Sequence, residues 1–374
     1  MAGKPKVLMR PAARTSPTLW SHMRLCALRA VLSTSREADD WVLHSPRAWL
    51  GTAFHRLMAA FPSDSAKAAD IWDRTISQLL VSASAHRLDA RFASPERWPG
   101  YYLVRQRAIA SAVRGEQSSK AHPWPGKLPS SLHGAEKLLT ARDGRLAGRP
   151  DHFDQHAVTE YKSALPDPEW REAASILEGY WRQLRLYAVL VAEMGRWPAV
   201  IRIATASGQM LEQNVDRPHC EAEADLAVAG LHATNQTLGR GGDSTELASP
   251  GEIACGQCQY QAICPAFWSW CRAAACWPLL REPASRGTLE AVDPGIDGDI
   301  YAVILRLEGR YGESGAQSLA LRRSVHGDLT GCAIGTQIRI IHANVRPDGR
   351  LRADIATCVY SEDDLPELER VDFV

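Results

Sequence analysis

The stretch that decides the fold is Gly-Arg-Pro-Asp-His-Phe-Asp-Gln-His-Ala-Val-Thr-Glu-Tyr-Lys, residues 148–162. Its last six residues alternate, Ala157, Thr159 and Tyr161 against Val158, Glu160 and Lys162, with the period of a strand. Glu160 and Lys162 therefore leave one face of that strand together. Asp151, nine residues before Glu160, belongs on the preceding strand, within reach of a cation shared with Glu160.

Two carboxylates at that range repel and raise each other's pKa unless a cation lies between them, and Mg²⁺ suits oxygen ligands that leave room for water and a phosphate. Such an ion polarises a phosphoryl oxygen and lowers the pKa of a water that attacks in line. Lys162 beside it would hold that water and offset the charge growing on the phosphate. Most of the 43 basic residues are Arg and no lysine follows Lys162, so a compact ammonium is retained here against the drift of the composition. Glu-x-Lys also occurs as a plain exposed ion pair, so its partners must carry the argument.

A chain of 374 residues can bury a sizeable core and is expected to hold two domains. Its 43 basic and 43 acidic residues cancel, so no global basic field announces a nucleic-acid partner. Residues 1–36 are locally basic, with seven Lys or Arg and no acid, and read as a basic entry segment. No apolar run reaches membrane-spanning length and no secretory core opens the chain, so a soluble, cytoplasmic protein with no membrane partner is expected. Nine cysteines, odd in number and unevenly spread, fit thiolate ligands in a reducing compartment better than a disulfide framework.

Apolar spacing predicts helices over 17–33, 48–61, 66–90 and 101–117, then a Pro-rich loop over 118–131. Strands are predicted over 134–141, 145–153 and 156–162, the first two joined by an Asp143-Gly144 hairpin. A helix over 172–194, strands over 199–206 and 209–215, and a helix over 217–238 follow, giving a mixed α/β layer. Residues 239–250 read as a linker. Beyond about 285, short alternating segments at 301–307, 318–323, 336–341 and 351–359 suggest a small, OB-like β-barrel, with Tyr301, Tyr311 and Tyr360 as candidate stacking aromatics. No phosphate-binding Gly-x4-Gly-Lys loop is present, which argues against a motor activity.

Cys255, Cys258 and Cys264 are spaced Cys-x2-Cys-x5-Cys and converge easily on one metal centre. A fourth ligand must come from elsewhere; Cys26 is favoured, with Cys271 and Cys276 as substitutes. Four thiolates suit either an iron–sulfur cubane or Zn²⁺, and local spacing does not separate them. Cys220, Cys332 and Cys358 read as core cysteines.

Taken together, these pieces resemble the RecB-like branch of the PD-(D/E)XK nuclease superfamily, closest to its iron–sulfur subgroup of CRISPR-adaptation exonucleases and AddB-type subunits. The matching residues are His55 in Gly-Thr-Ala-Phe-His, Asp151 in Gly-Arg-Pro-Asp, Glu160-Tyr161-Lys162, Gln183 and Tyr187 in Gln-Leu-Arg-Leu-Tyr, and the one-plus-three cysteines, across residues 16–268. A departure is Ala27, where the family usually follows the first cysteine with proline.

The resemblance implies a restriction-endonuclease-like mixed sheet with flanking helices and a helical N-terminal region. The nuclease domain would span 1–280, with its helical part at 17–117, its core at 132–238 and its cysteine motif at 255–264; the β-rich domain would span 285–374. It further implies that His55, Asp151 and Glu160 hold one or two Mg²⁺ or Mn²⁺ ions and that Lys162 positions water. Gln183 and Tyr187, four apart on one helix face, would orient the DNA backbone. Glu136 stands where the family often has a further acid. A 4Fe-4S cluster on Cys26, Cys255, Cys258 and Cys264, single-stranded DNA as substrate, and a helicase or another repair or defence subunit as partner are also implied. Two readings compete with this one: a non-catalytic module that grips DNA or a helicase subunit, and a zinc-ribbon adaptor.

Overall fold

A computed structural model describes the chain except residues 1–3, 61–63, 122–136, 155, 242–243, 257, 275–283, 296–297, 309–314 and 372–374. The expected site residue Glu136 and the aromatic Tyr311 lie outside the described residues, as does Cys276. In chain order, a strand β1 (Lys6–Met9) is followed by helices α1 (Pro17–Leu25), α2 (Ala27–Leu32), α3 (Arg36–Asp39), α4 (Pro46–Ala60), α5 (Ser65–Ala85) and α6 (Tyr101–Ala121). Next come β2 (Leu139–Ala141), β3 (Leu146–Gly148), β4 (His152–Phe153), β5 (Ala157–Lys162), α7 (Ala173–Ala192), β6 (Val200–Thr205), β7 (Met210–Asn214) and α8 (Arg217–Gly239). The remainder is α9 (Glu252–Gly256), α10 (Pro265–Ala274), β8 (Ala284–Asp293), β9 (Ile300–Leu307), β10 (Ala316–Arg322), α11 (Arg323–His326), β11 (Gln337–Ile341), β12 (Asn344–Val345), β13 (Leu351–Arg352), β14 (Cys358–Ser361) and β15 (Glu367–Arg370).

The chain folds as two compact units, one of residues 12–21 and 44–233, the other of 1–11, 22–43 and 234–374. In the first, β4, β5, β6 and β7 form one sheet in that order, with β5 and β6 parallel and the outer pairs antiparallel. Parallel strands need a long crossover, and α7 supplies it, packing on both β5 and β6. A central strand is covered on both faces, which is why Ala157, Val158, Thr159 and even Glu160 are buried. Phe54, Leu57, Trp72, Phe153, Val158, Leu184, Leu190 and Ile203 make up much of the apolar core of this unit.

Local chemistry starts and stops these elements. α1 opens on Pro17 with the Ser16 hydroxyl accepting from the Leu19 N–H at 3.1 Å, and α5 opens on Asp64, whose carboxylate accepts from the Lys67 N–H at 2.9 Å. The β2–β3 hairpin turns at Arg142, Asp143 and Gly144, all with positive φ (54°, 55° and 79°), the backbone that Asp and Gly tolerate best. Gly148 ends β3 where no side chain fits: a Cβ there would come within 2.9 Å of Tyr187 and Leu190 on α7.

In the second unit, β10, β9, β8, β11 and β14 form an antiparallel five-stranded sheet in that order. Its inner face buries Leu289, Val303, Leu305, Leu319, Leu321, Ile338 and Ile340. β1 pairs in parallel with β15, joining the two ends of the chain.

Several expectations are corrected. The C-terminal sheet is an open layer and not a closed barrel, with β10 and β14 at its ends. Tyr301 and Tyr360 are core residues, 1% and 4% exposed, so neither can stack on a base. The helix expected over 17–33 is two helices broken at Cys26, whose backbone is extended (φ −166°, ψ 118°). The strand expected over 145–153 is likewise split, with β3 paired to β2 and β4 to β5, because Pro150 has no N–H to continue a ladder.

Candidate functional site

Asp151 lies just before β4 and Glu160 on β5, near enough for the charge of one to act on the other. Asp151, 7% exposed, accepts the Tyr161 N–H at Oδ2 (2.7 Å) and meets His55 Nδ1 of α4 at Oδ1 (2.8 Å). Both carboxylate oxygens are thus fixed, one by the neighbouring strand and one by a helix. Glu160 is 3% exposed; its Oε1 receives Lys162 Nζ at 2.6 Å and Gln183 Nε2 at 2.9 Å. Its other oxygen, Oε2, is buried with no hydrogen-bond partner. Gln183 Nε2 also donates to the Tyr187 hydroxyl at 3.2 Å, one helical turn along α7.

The electrostatics follow from this crowding. Burial pushes the Glu160 carboxyl up to about 7, Asp151 adds to the rise, and Lys162 and His55 work against it. For His55, burial opposes the charged form, but the hydrogen bond and charge of Asp151, with the charge of Glu160, outweigh it and raise its pKa. A buried carboxylate at neutral pH beside a second one, with an orphaned oxygen, costs free energy unless a proton or a cation satisfies it. Carboxylate oxygens and an imidazole are a donor set that fits Mn²⁺, and Mg²⁺ through the oxygens.

Of the residues expected from sequence, His55 pairs with Asp151, while Lys162, Gln183 and Tyr187 cluster on Glu160. Sequence reasoning missed Tyr180, whose ring centroid lies 4.4 Å from Lys162 Nζ, a cation–π contact that limits where the ammonium can swing. Tyr180 is three residues before Gln183 on α7, so helical spacing from the Gln-Leu-Arg-Leu-Tyr motif could have found it. Also missed were His44, His86 and Asp89, whose ligand atoms lie within 4.8 Å of one another and could hold a metal ion.

The cysteines converge in the other unit. Cys26, Cys255, Cys258 and Cys264 line one cavity together with Leu28 and Phe267. Backbone N–H groups face three of the sulfurs: Ser249 to Cys26 (3.5 Å), Phe267 to Cys264 (3.4 Å) and Tyr260 to Cys258. Burial raises the Cys258 thiol and pushes Cys264 up to about 12. Cys271, buried on α10, is not among the residues lining that cavity.

A mixed sheet with Asp151 before β4 and both Glu160 and Lys162 on β5 defines a class, and comparison with protein families names it. The PD-(D/E)XK nuclease superfamily model matches residues 14–265, more than half of the chain. The chain belongs to the PD-(D/E)XK nuclease superfamily. Comparison with curated proteins gave no significant match. Among the described residues, no helix is long and apolar enough to cross a membrane.

Proposed function

We propose that the chain is a divalent-metal-dependent deoxyribonuclease of the RecB-like type, an exonuclease that works on single-stranded DNA ends in repair, recombination or CRISPR defence. One observation carries it: the buried Oε2 of Glu160 has no hydrogen-bond partner among the described residues, feels the charge of Asp151, and has Lys162 Nζ 2.6 Å from the opposite oxygen. His55, Asp151 and Glu160 would hold Mg²⁺ or Mn²⁺, and the chemistry such an ion supplies is polarisation of a phosphoryl oxygen and activation of water. Lys162 offers N–H donors and a positive charge where the phosphate gains negative charge. Tyr180 keeps that ammonium near Glu160. Gln183 fixes Glu160 Oε1 and the Tyr187 hydroxyl together, so the strand and α7 present their polar groups as one surface to a phosphodiester backbone.

The same reading assigns Cys26, Cys255, Cys258 and Cys264 to a 4Fe-4S cluster. Backbone N–H groups aimed at sulfur support metal-bound thiolates at this place, since they stabilise negative charge on sulfur in a cluster and in a Zn²⁺ site alike.

Purified protein incubated with labelled single strands tests both parts. Cleavage with Mn²⁺ that stops on chelation, from a brown protein containing iron and sulfide in equal amounts, is the expected result. Binding of DNA without cleavage by a freshly purified, cluster-loaded protein would replace the enzyme with a DNA-gripping module. A colourless protein carrying stoichiometric zinc would replace the cluster.

A further inference from the structure

The first unit holds a second group of metal-ligating side chains that the carboxylate site does not use. His44 lies just before α4, His86 caps the C-terminus of α5 with extended backbone (φ −95°, ψ 125°), and Asp89 opens a short 3₁₀ turn over 89–92. Asp89 Oδ2 lies 2.7 Å from His44 Nδ1 and 3.2 Å from His86 Nδ1, and its Oδ1 accepts the His44 backbone N–H at 2.9 Å. The Asp89 backbone N–H in turn points at His86 Nδ1 (3.3 Å), and the two imidazoles meet edge to face at 5.3 Å. The Asp89 side chain is 5% exposed, that of His86 13% and that of His44 32%, so the group is buried at its acid and open at one imidazole.

We propose that His44, His86 and Asp89 form an auxiliary transition-metal site, suited to Zn²⁺, that ties the start of α4 to the end of α5. Asp89 Oδ2 has an imidazole nitrogen of each histidine close by, and one ligand atom from each of the three residues lies within 4.8 Å of the other two, so a single divalent cation can be held by all three. Two imidazoles and one carboxylate are the ligand set of Zn²⁺, Co²⁺ or Ni²⁺; Mg²⁺ and Ca²⁺ select oxygen. The exposed side of His44 leaves a coordination position for water. The consequence reaches the other site through one helix, because α4 also carries His55, eleven residues after His44, which holds Asp151. The site is thus a brace for the helix that positions His55, and it stands whether or not the chain cleaves DNA.

The test is a Zn²⁺ titration of the full-length protein, wild type against His44→Gln and His44→Gln/His86→Gln, with folding checked by circular dichroism. Glu160→Gln serves as the control for the carboxylate site, and the cysteines are the same in every sample. Both His44 variants are expected to bind one equivalent of Zn²⁺ fewer than wild type, while Glu160→Gln keeps that equivalent. Wild type is also expected to gain a Zn²⁺-dependent rise in melting temperature that Mg²⁺ does not give and the His44 variants lack. His44→Gln changes a partly exposed side chain, so it remains informative if the double variant does not fold. Equal stoichiometry in wild type and His44→Gln overturns the proposal. So does a variant less stable by the same amount with and without Zn²⁺, which is the behaviour of a hydrogen-bonded pin alone.

Discussion

Lys162→Ala is expected to lower DNA cleavage by about 10²–10³-fold, the scale of losing one preorganised charge at a phosphoryl transition state. Two effects combine. The variant loses the ammonium at Glu160, whose Oε1 keeps Gln183 Nε2. It also loses the charge that holds the Glu160 pKa down, so the carboxyl rises further above about 7 and holds its proton more tightly against an incoming cation. The Mn²⁺ concentration needed for residual activity should therefore rise as well. Thermal melts should accompany the rates, because losing Lys162 leaves the buried Glu160 carboxyl without its cation and destabilises the fold wherever that carboxyl is ionised. Rates of cleavage measured across a Mn²⁺ series, within threefold of wild type, would remove Lys162 from the chemistry.

Glu362→Gln should destabilise the cysteine-bearing unit by about 3–5 kcal/mol, the cost of stranding partly buried cations. Glu362 is gripped by Arg286 through two bonds (2.7 and 2.8 Å) and by Arg339 Nε (2.7 Å). Arg339 also donates to the Ala262 carbonyl at 2.7 Å, in the segment between Cys258 and Cys264, and lies over the Trp268 ring at 5.1 Å. Losing its counter-ion should loosen the 260–264 turn and speed loss of visible absorption in a cluster-loaded protein. Burial alone would raise the Glu362 pKa, but the hydrogen bonds and charges of Arg286 and Arg339 lower it to about 2. A carboxylate with a depressed folded pKa contributes stability above its unfolded value, near 4.5, and loses it as pH falls towards 2. Thermal melts should thus show wild type losing roughly 2 kcal/mol more than Glu362→Gln over that window, once solvent screening is allowed for. Parallel acid profiles for the two proteins would contradict the assignment.

The sequence carried the centre of this site better than its surroundings. The alternation of 157–162 and the helical spacing of Gln183 and Tyr187 depend on local periodicity, so β5 and α7 were legible with ends within a residue or two. Contacts without local period were not. Cys26 breaks a helix whose apolar spacing runs on through Leu28 and Val31, with no Gly or Pro to mark the stop. β1 and β15 pair across the length of the chain, and each is only four residues long. Tyr301 sits on a strand with the alternation of a half-exposed sheet and Tyr360 on one buried at all four residues, and only the packed structure reveals that both are covered. The His44, His86 and Asp89 group comes from loop and helix ends, where spacing carries no signal.

The central claim is that His55, Asp151 and Glu160 surround a divalent cation beside Lys162. Anomalous diffraction from crystals soaked in Mn²⁺ tests it most directly. The account predicts a Mn²⁺ peak within bonding distance of Glu160 Oε2 and an Asp151 carboxylate oxygen, absent in Glu160→Gln. Well-ordered soaked crystals with no peak between those carboxylates, and Glu160 Oε2 bonded instead to a protein group, would contradict it.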